Sequence, residues 1–98
     1  MTVDDVRGAL RDVEDPELGY NIVDLGLVYG VAVEGGAIAV TMTMTTPGCP
    51  AAGYIEEGVR ERLLSMPGAR EVQVHVVWSP PWTPDMMSDD ARRELGLL

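Results

Sequence analysis

The chain has 98 residues and a net charge of −9, from 16 acidic side chains against 7 basic ones. That length suits one domain spanning residues 1–98 and excludes two. An apolar fraction of 46% excludes a disordered chain. The bases are all arginine and form no stripe, so nucleic acid is not an expected partner. No apolar run approaches the roughly 20 residues of a membrane span, so no membrane association is expected. The start, Met1-Thr2-Val3-Asp4-Asp5, is acidic where a secretion signal is basic. A single cysteine forms no internal disulfide, and both features lead to a cytoplasmic expectation.

The first predicted element is a helix. Thr2 is its N-cap, and Val3, Val6, Leu10 and Val13 recur at helical spacing. Asp4 and Asp5 favour the positive end of its dipole, and Pro16 is read as its stop. The stretch from Glu17 to Leu27 has glycines and no period, so it reads as an ordered loop flanked by Asp15, Glu17 and Asp24. Val28 to Glu34 is a strand, and Gly35-Gly36 is a hairpin turn. The partner strand runs from Ala37 to Met44. Ile38, Val40, Met42 and Met44 share one face, and Ala39, Thr41 and Thr43 the other.

Thr45-Thr46-Pro47-Gly48-Cys49-Pro50 breaks that strand and opens a second helix, with Ala52, Ile55, Val59, Leu63 and Met66 on its apolar face. Pro67-Gly68 stops it. A third strand covers Glu71 to Trp78, with Val72, Val74, Val76 and Trp78 on one face and His75 on the other. Ser79 to Pro84 is too rich in proline for a sheet interior. A last helix runs from about Asp89 to Leu95, capped by Ser88 and followed by Gly96. The predicted order is α-β-β-α-β-α: an α/β (α+β) two-layer helix–sheet sandwich with a three-stranded mixed sheet.

Cys49 is the residue with the clearest chemical potential. Proline suits the first helical position, so Pro50 there places Cys49 at the N-cap. Free N–H groups and the helix dipole at such a site stabilise thiolate, the form that binds metal or attacks an electrophile. The competing reading is a buried small apolar side chain. Thr45 and Thr46 offer hydroxyls to a ligand or merely cap the loop. Asp15 and Glu17 straddle Pro16 and either share a site or are solvated turn acids. His75 reads as a solvated strand histidine. Trp82, Met86 and Met87 either cover a core edge or form a partner surface.

Several motifs occur together: Asp15-Pro16-Glu17, then Asn21 to Tyr29 (NIVDLGLVY), then Thr45-Thr46-Pro47-Gly48-Cys49-Pro50, then Pro81-Trp82 before Met87-Ser88. In this order they closely resemble the SufT/PaaD-like family of metal–sulfur cluster assembly factors, whose eukaryotic relatives act in the cytosolic iron–sulfur targeting complex. The resemblance covers nearly the whole chain. It implies a fold similar to the cluster-binding domain of NifU-like scaffolds and a role in maturing iron–sulfur proteins without a settled chemical reaction, and no enzymatic activity is expected. It also implies a site gathering Asp15, Glu17, Thr45, Thr46 and Cys49. Iron or an iron–sulfur cluster is the implied cargo, transient or shared with a partner, and the implied partners are assembly proteins and client apoproteins. PaaD-type members carry a cysteine-rich C-terminal extension that this sequence lacks, so the expectation is a stand-alone SufT-like protein.

One thiolate does not satisfy a cluster, which takes about four protein ligands. Cluster handling therefore requires further ligands, of which a homodimer pairing two Cys49 thiolates is the simplest source. Two alternatives stay open. One is a cysteine-nucleophile enzyme with His75 or Glu17 as base. The other is an adaptor in which the acidic face and the Trp82–Met87 region bind a client and Cys49 is incidental.

Overall fold

In a computed structural model, which describes residues 1–48 and 50–97, helix α1 spans Val3–Leu10. The Thr2 hydroxyl accepts a hydrogen bond from Asp5 N at 3.0 Å, and the Asp5 carboxylate accepts one from Thr2 N at 2.9 Å. This reciprocal cap satisfies two N–H groups that the helix leaves open. It also holds the Asp5 carboxyl below its usual range. The helix stops sooner than its apolar spacing predicts. Val13 lies outside it yet is buried, while Val3 is 40% exposed.

The reason for the early stop is a pairing with no periodic signal. The Val13 carbonyl accepts from Ile22 N at 3.0 Å, and a two-stranded antiparallel ribbon follows. Its strands are β1, Glu14–Asp15, and β2, Tyr20–Asn21, with Glu14 opposite Asn21 and Asp15 opposite Tyr20. The predicted loop therefore contains a small sheet of its own.

The predicted hairpin is present as β3, Val28–Glu34, and β4, Ala37–Met42, around Gly35-Gly36. Helix α2, Ala52–Leu64, crosses over to β5, Glu71–Val76, which pairs parallel to β4. The main sheet has the order β3-β4-β5. Strands β4 and β5 end at Met42 and Val76, each two residues earlier than predicted. Met44 nonetheless remains buried, whereas Trp78 is 48% exposed.

Cross-strand register explains the core. Val33, Ile38 and Val72 are aligned across the three strands, as are Val31, Val40 and Val74. These face Val6, Ala9 and Leu10 of α1 and Ile55, Val59 and Leu63 of α2 in a single apolar cluster. The opposite face of the sheet carries Ala32, Ala39, Thr41, Gln73 and His75 and is open, giving the predicted two layers.

After β5 the chain turns back across the end of the sheet. A single 3-10 turn at Pro84–Met86 precedes α3, Asp89–Glu94. Ser88 caps α3 as predicted, its hydroxyl accepting from Ala91 N at 3.2 Å. Of the two readings for Trp82, Met86 and Met87, the core-edge one holds for Met87, buried in the core cluster, and for Trp82, which packs on it, while Met86 is exposed.

Candidate functional site

The Asp15-Pro16-Glu17 motif forms the tip of the β1–β2 ribbon. Pro16 fixes φ and lacks an N–H, so the turn is closed by its neighbours. The Asp15 side chain accepts from Glu17 N at 2.8 Å, and the Asp15 carbonyl accepts from Gly19 N at 2.7 Å. Asp15 is only 1% exposed. The solvated-acid reading is thus corrected for Asp15. Its carboxylate is taken from water and serves the turn, while Glu17 lies exposed beside it. Asp15→Ala is expected to cost about 1.5–3 kcal/mol, the scale of a hydrogen bond to a charged group. Asp15→Asn keeps the Oδ1 acceptor and is expected to recover most of that loss in a urea titration.

The Asn21–Tyr29 run is a structural junction. Asn21 and Asp24 exchange two hydrogen bonds, Asn21 Nδ2 to Asp24 Oδ2 at 2.8 Å and Asp24 N to Asn21 Oδ1 at 2.9 Å. From there hydrogen bonds hold the C-terminal segment. Trp82 Nε1 donates to the Leu25 carbonyl at 2.7 Å, Tyr29 OH to the Pro80 carbonyl at 2.7 Å, and Ser88 N to the Asp24 carbonyl at 2.8 Å. Partial burial raises the Tyr20 phenol above its usual pKa of 10.0, with Asp24, Glu94 and Asp90 adding to the effect. Sequence reasoning assigned no job to Leu25 or Gly26, because their partners, Trp82 and Met86, lie more than fifty residues away.

The same junction carries the second half of the predicted site. Leu27 N donates to the Ile22 carbonyl at 3.0 Å, and Thr43 N to the Leu27 carbonyl at 2.8 Å. Together with the Val13–Ile22 bond, this ties the β1–β2 ribbon to the start of the 43–48 segment through backbone alone. Among the described residues, no hydrogen bond joins Asp15 to Thr45 or Thr46. Thr45 is half-buried and Thr46 exposed. Gly48 has φ of +73°, a left-handed conformation that redirects the chain just ahead of the cysteine.

Cys49 lies outside the described residues. The expectation that Pro50 opens α2 is corrected. The helix begins at Ala52, with Ala51 in the N-cap position and no side-chain cap, and Pro50 sits in the preceding turn. Proline serves a turn as readily as a first helical position, so its preference did not separate the two. The consequence is a thirteen-residue helix with no side-chain cap among the described residues and no acid in its first turn.

Thr43 was not among the predicted site residues. Strand alternation placed it on the open face, yet it is 1% exposed and its hydroxyl has no hydrogen-bond partner among the described residues. Such a group costs about 1–3 kcal/mol. Thr43→Val is expected to leave stability unchanged or raise it by about 1 kcal/mol, read from the urea midpoint. A loss of more than about 1 kcal/mol would show that the hydroxyl is satisfied in solution.

His75 faces solvent on the open side of the sheet. Among the described residues, no three His, Cys, Asp or Glu side chains gather closely enough to hold a metal ion. An open groove of about 530 Å³ runs between Asp12–Glu14 and α2, with Tyr54, Glu57 and Glu61 on its helix side. It does not include Asp15, Glu17, Thr45 or Thr46. No described helix is long and apolar enough to cross a membrane.

Comparison with known proteins places these features in a family. Residues 3–76 match the family model described as iron-sulfur cluster assembly protein. The chain is 47% identical over 95 residues to the Fe-S protein maturation auxiliary factor YitW of Bacillus subtilis, covering 96% of this chain and 93% of that one. It is 49% identical over 86 residues to the Fe-S protein maturation auxiliary factor SufT of Staphylococcus aureus, covering 87% and 98%. A crystal structure from Bacillus anthracis, described as a domain of unknown function DUF59, superposes with a TM-score of 0.91 at 45% identity, covering 97% of this chain and 92% of that one. The chain therefore belongs to the iron–sulfur cluster assembly protein family, the SufT/PaaD-like family to which its motifs pointed.

Proposed function

We propose that this protein is an iron–sulfur protein maturation factor that works through the Cys49 thiolate, with Asp15, Glu17, Thr45 and Thr46 as the neighbours of that sulfur. The observation that carries the reading is the nearly end-to-end likeness to two maturation auxiliary factors, at 47% and 49% identity. The backbone frame supports it. Hydrogen bonds from Val13 through Ile22 and Leu27 to Thr43 hold the Asp15 turn and the 43–48 segment on one scaffold. The start of α2 lies a few residues along the chain from Cys49, where N–H groups and the dipole favour negative charge.

Iron or a cluster is cargo in this reading, not a resident cofactor. A lone sulfur leaves most of a cluster's coordination open. The remaining ligands come from a partner protein, a small thiol or a second copy of the chain. The protein then serves handover between assembly proteins and client apoproteins in the cytoplasm, and it performs no catalysis. Anaerobic reconstitution with iron and sulfide, followed in the visible, tests the cargo. The expected result is weak charge-transfer absorption that rises with added thiol and is absent in Cys49→Ser. Background absorption for the parent chain, with and without thiol or a scaffold protein, would overturn cargo binding.

A further inference from the structure

Strand β5 is an edge of the main sheet, and Glu71 is the one acid or fixed base on it. Its six residues, Glu71 to Val76, include no proline, glycine, lysine or arginine. The other edge differs: β3 carries a register shift between Val28 and Gly30, a distortion that discourages further pairing. Glu71 N donates to the Gly36 carbonyl at 3.2 Å and Val77 N to the Met42 carbonyl at 2.8 Å. The odd-numbered residues of β5 thus turn their backbone groups toward β4. The N–H and C=O groups of Val72, Val74 and Val76 point outward, with no strand beyond them among the described residues.

We propose that β5 pairs antiparallel with β5 of a second copy of this chain, forming a continuous six-stranded sheet about a two-fold axis at Gln73. The sequence of the strand selects that occupant and that register. With Gln73 opposite its own counterpart, Val72 falls opposite Val74 of the other copy as a hydrogen-bonded pair. The outward backbone groups are the ones such pairs need. Glu71 then falls opposite His75 of the other copy, twice, by symmetry. These are non-hydrogen-bonded pairs, whose Cα atoms approach to about 4.5 Å and whose side chains interact most closely. Glu71, Gln73 and His75 all lie exposed on the open face, and Gln73 Nε2 already donates to Glu71 Oε1 at 3.3 Å. Moving the register by two residues in either direction separates the acid from the imidazole. On the other face, the half-buried Val72 and Val74 extend the two apolar cores into one.

This dimer has a consequence for cargo. Strands β4 and β5 are parallel, so the 43–48 segment leaves the sheet beside the C-terminal end of β5. Antiparallel pairing sets the two copies of that segment at opposite ends of the joined strands, about 20 Å apart along a six-residue strand. The two sites then act separately, and this interface is distinct from a dimer built on two shared Cys49 thiolates.

Sedimentation equilibrium of the full chain tests the proposal. The parent is expected to dimerise. His75→Glu is expected to weaken the dimer roughly tenfold, because it sets two carboxylates opposite one another, and Glu71→Arg is expected to weaken it by removing the acceptor that faces the imidazole N–H. The double variant Glu71→Arg/His75→Glu is expected to restore it, and Cys49→Ser to leave it unchanged. In a Cys49→Ser background, Gln73→Cys is expected to form a disulfide-linked dimer under mild oxidation. A parent chain that stays monomeric up to about 1 mM, a double variant that fails to recover, or a Gln73→Cys chain that does not cross-link would each overturn the proposal. Loss of the dimer in Cys49→Ser would do the same and would point to the thiolate interface instead.

Discussion

Gly26→Ala is expected to lower stability by about 3 kcal/mol, which corresponds to a fall in melting temperature of roughly 12–24 °C for a domain of this size. Two independent costs add. Gly26 has φ of +80°, where an L-residue pays about 1–2 kcal/mol. A Cβ there also collides with the backbone carbonyl of Met86. Relieving that collision requires moving the 3-10 turn, which lies between the Trp82–Leu25 and Ser88–Asp24 hydrogen bonds. Crowding of that kind typically costs about 1–3 kcal/mol. Gly8 is the internal control. It sits on α1 with open space around it, so Gly8→Ala is expected to gain about 0.5–1 kcal/mol from helix propensity. Equal melting temperatures for the two variants would show that the C-terminal segment does not pack on Gly26 in solution.

That junction also marks where sequence reasoning stopped. The hairpin at Gly35-Gly36 and the Ser88 cap were legible because each is a local signal followed by a clear period. The β1–β2 ribbon was not, because two-residue strands are too short to show alternation. Its hydrogen bonds, however, are what stop α1 before Val13 and bury Asp15. Thr43 shows the same limit from the other side. Alternation predicts solvent, but the strand has ended by then and Leu27 holds its backbone. The family motif Asn21–Leu27 marked its own importance without showing that the importance is mechanical: it anchors Trp82, Met86 and Ser88. The residues of the candidate site were nameable from the motifs. How Asp15 is buried and how α2 begins depended on contacts that no local pattern encodes.

The proposed function rests most heavily on one side chain. Serine at position 49 removes a sulfur ligand and nucleophile while changing little in volume, so Cys49→Ser is expected to melt within about 3 °C of the parent chain. Its thiolate chemistry is lost outright, because a serine hydroxyl does not ionise near neutral pH and is a poor ligand for iron. The most direct measurement is therefore made in a strain lacking this protein. Parent or Cys49→Ser chain is supplied at matched levels, and the activity of iron–sulfur client enzymes is assayed in extracts. The account predicts restoration by the parent chain and activity no higher than that of the deletion strain with Cys49→Ser. Full restoration by Cys49→Ser would contradict it and would leave a docking adaptor in which the cysteine plays no part.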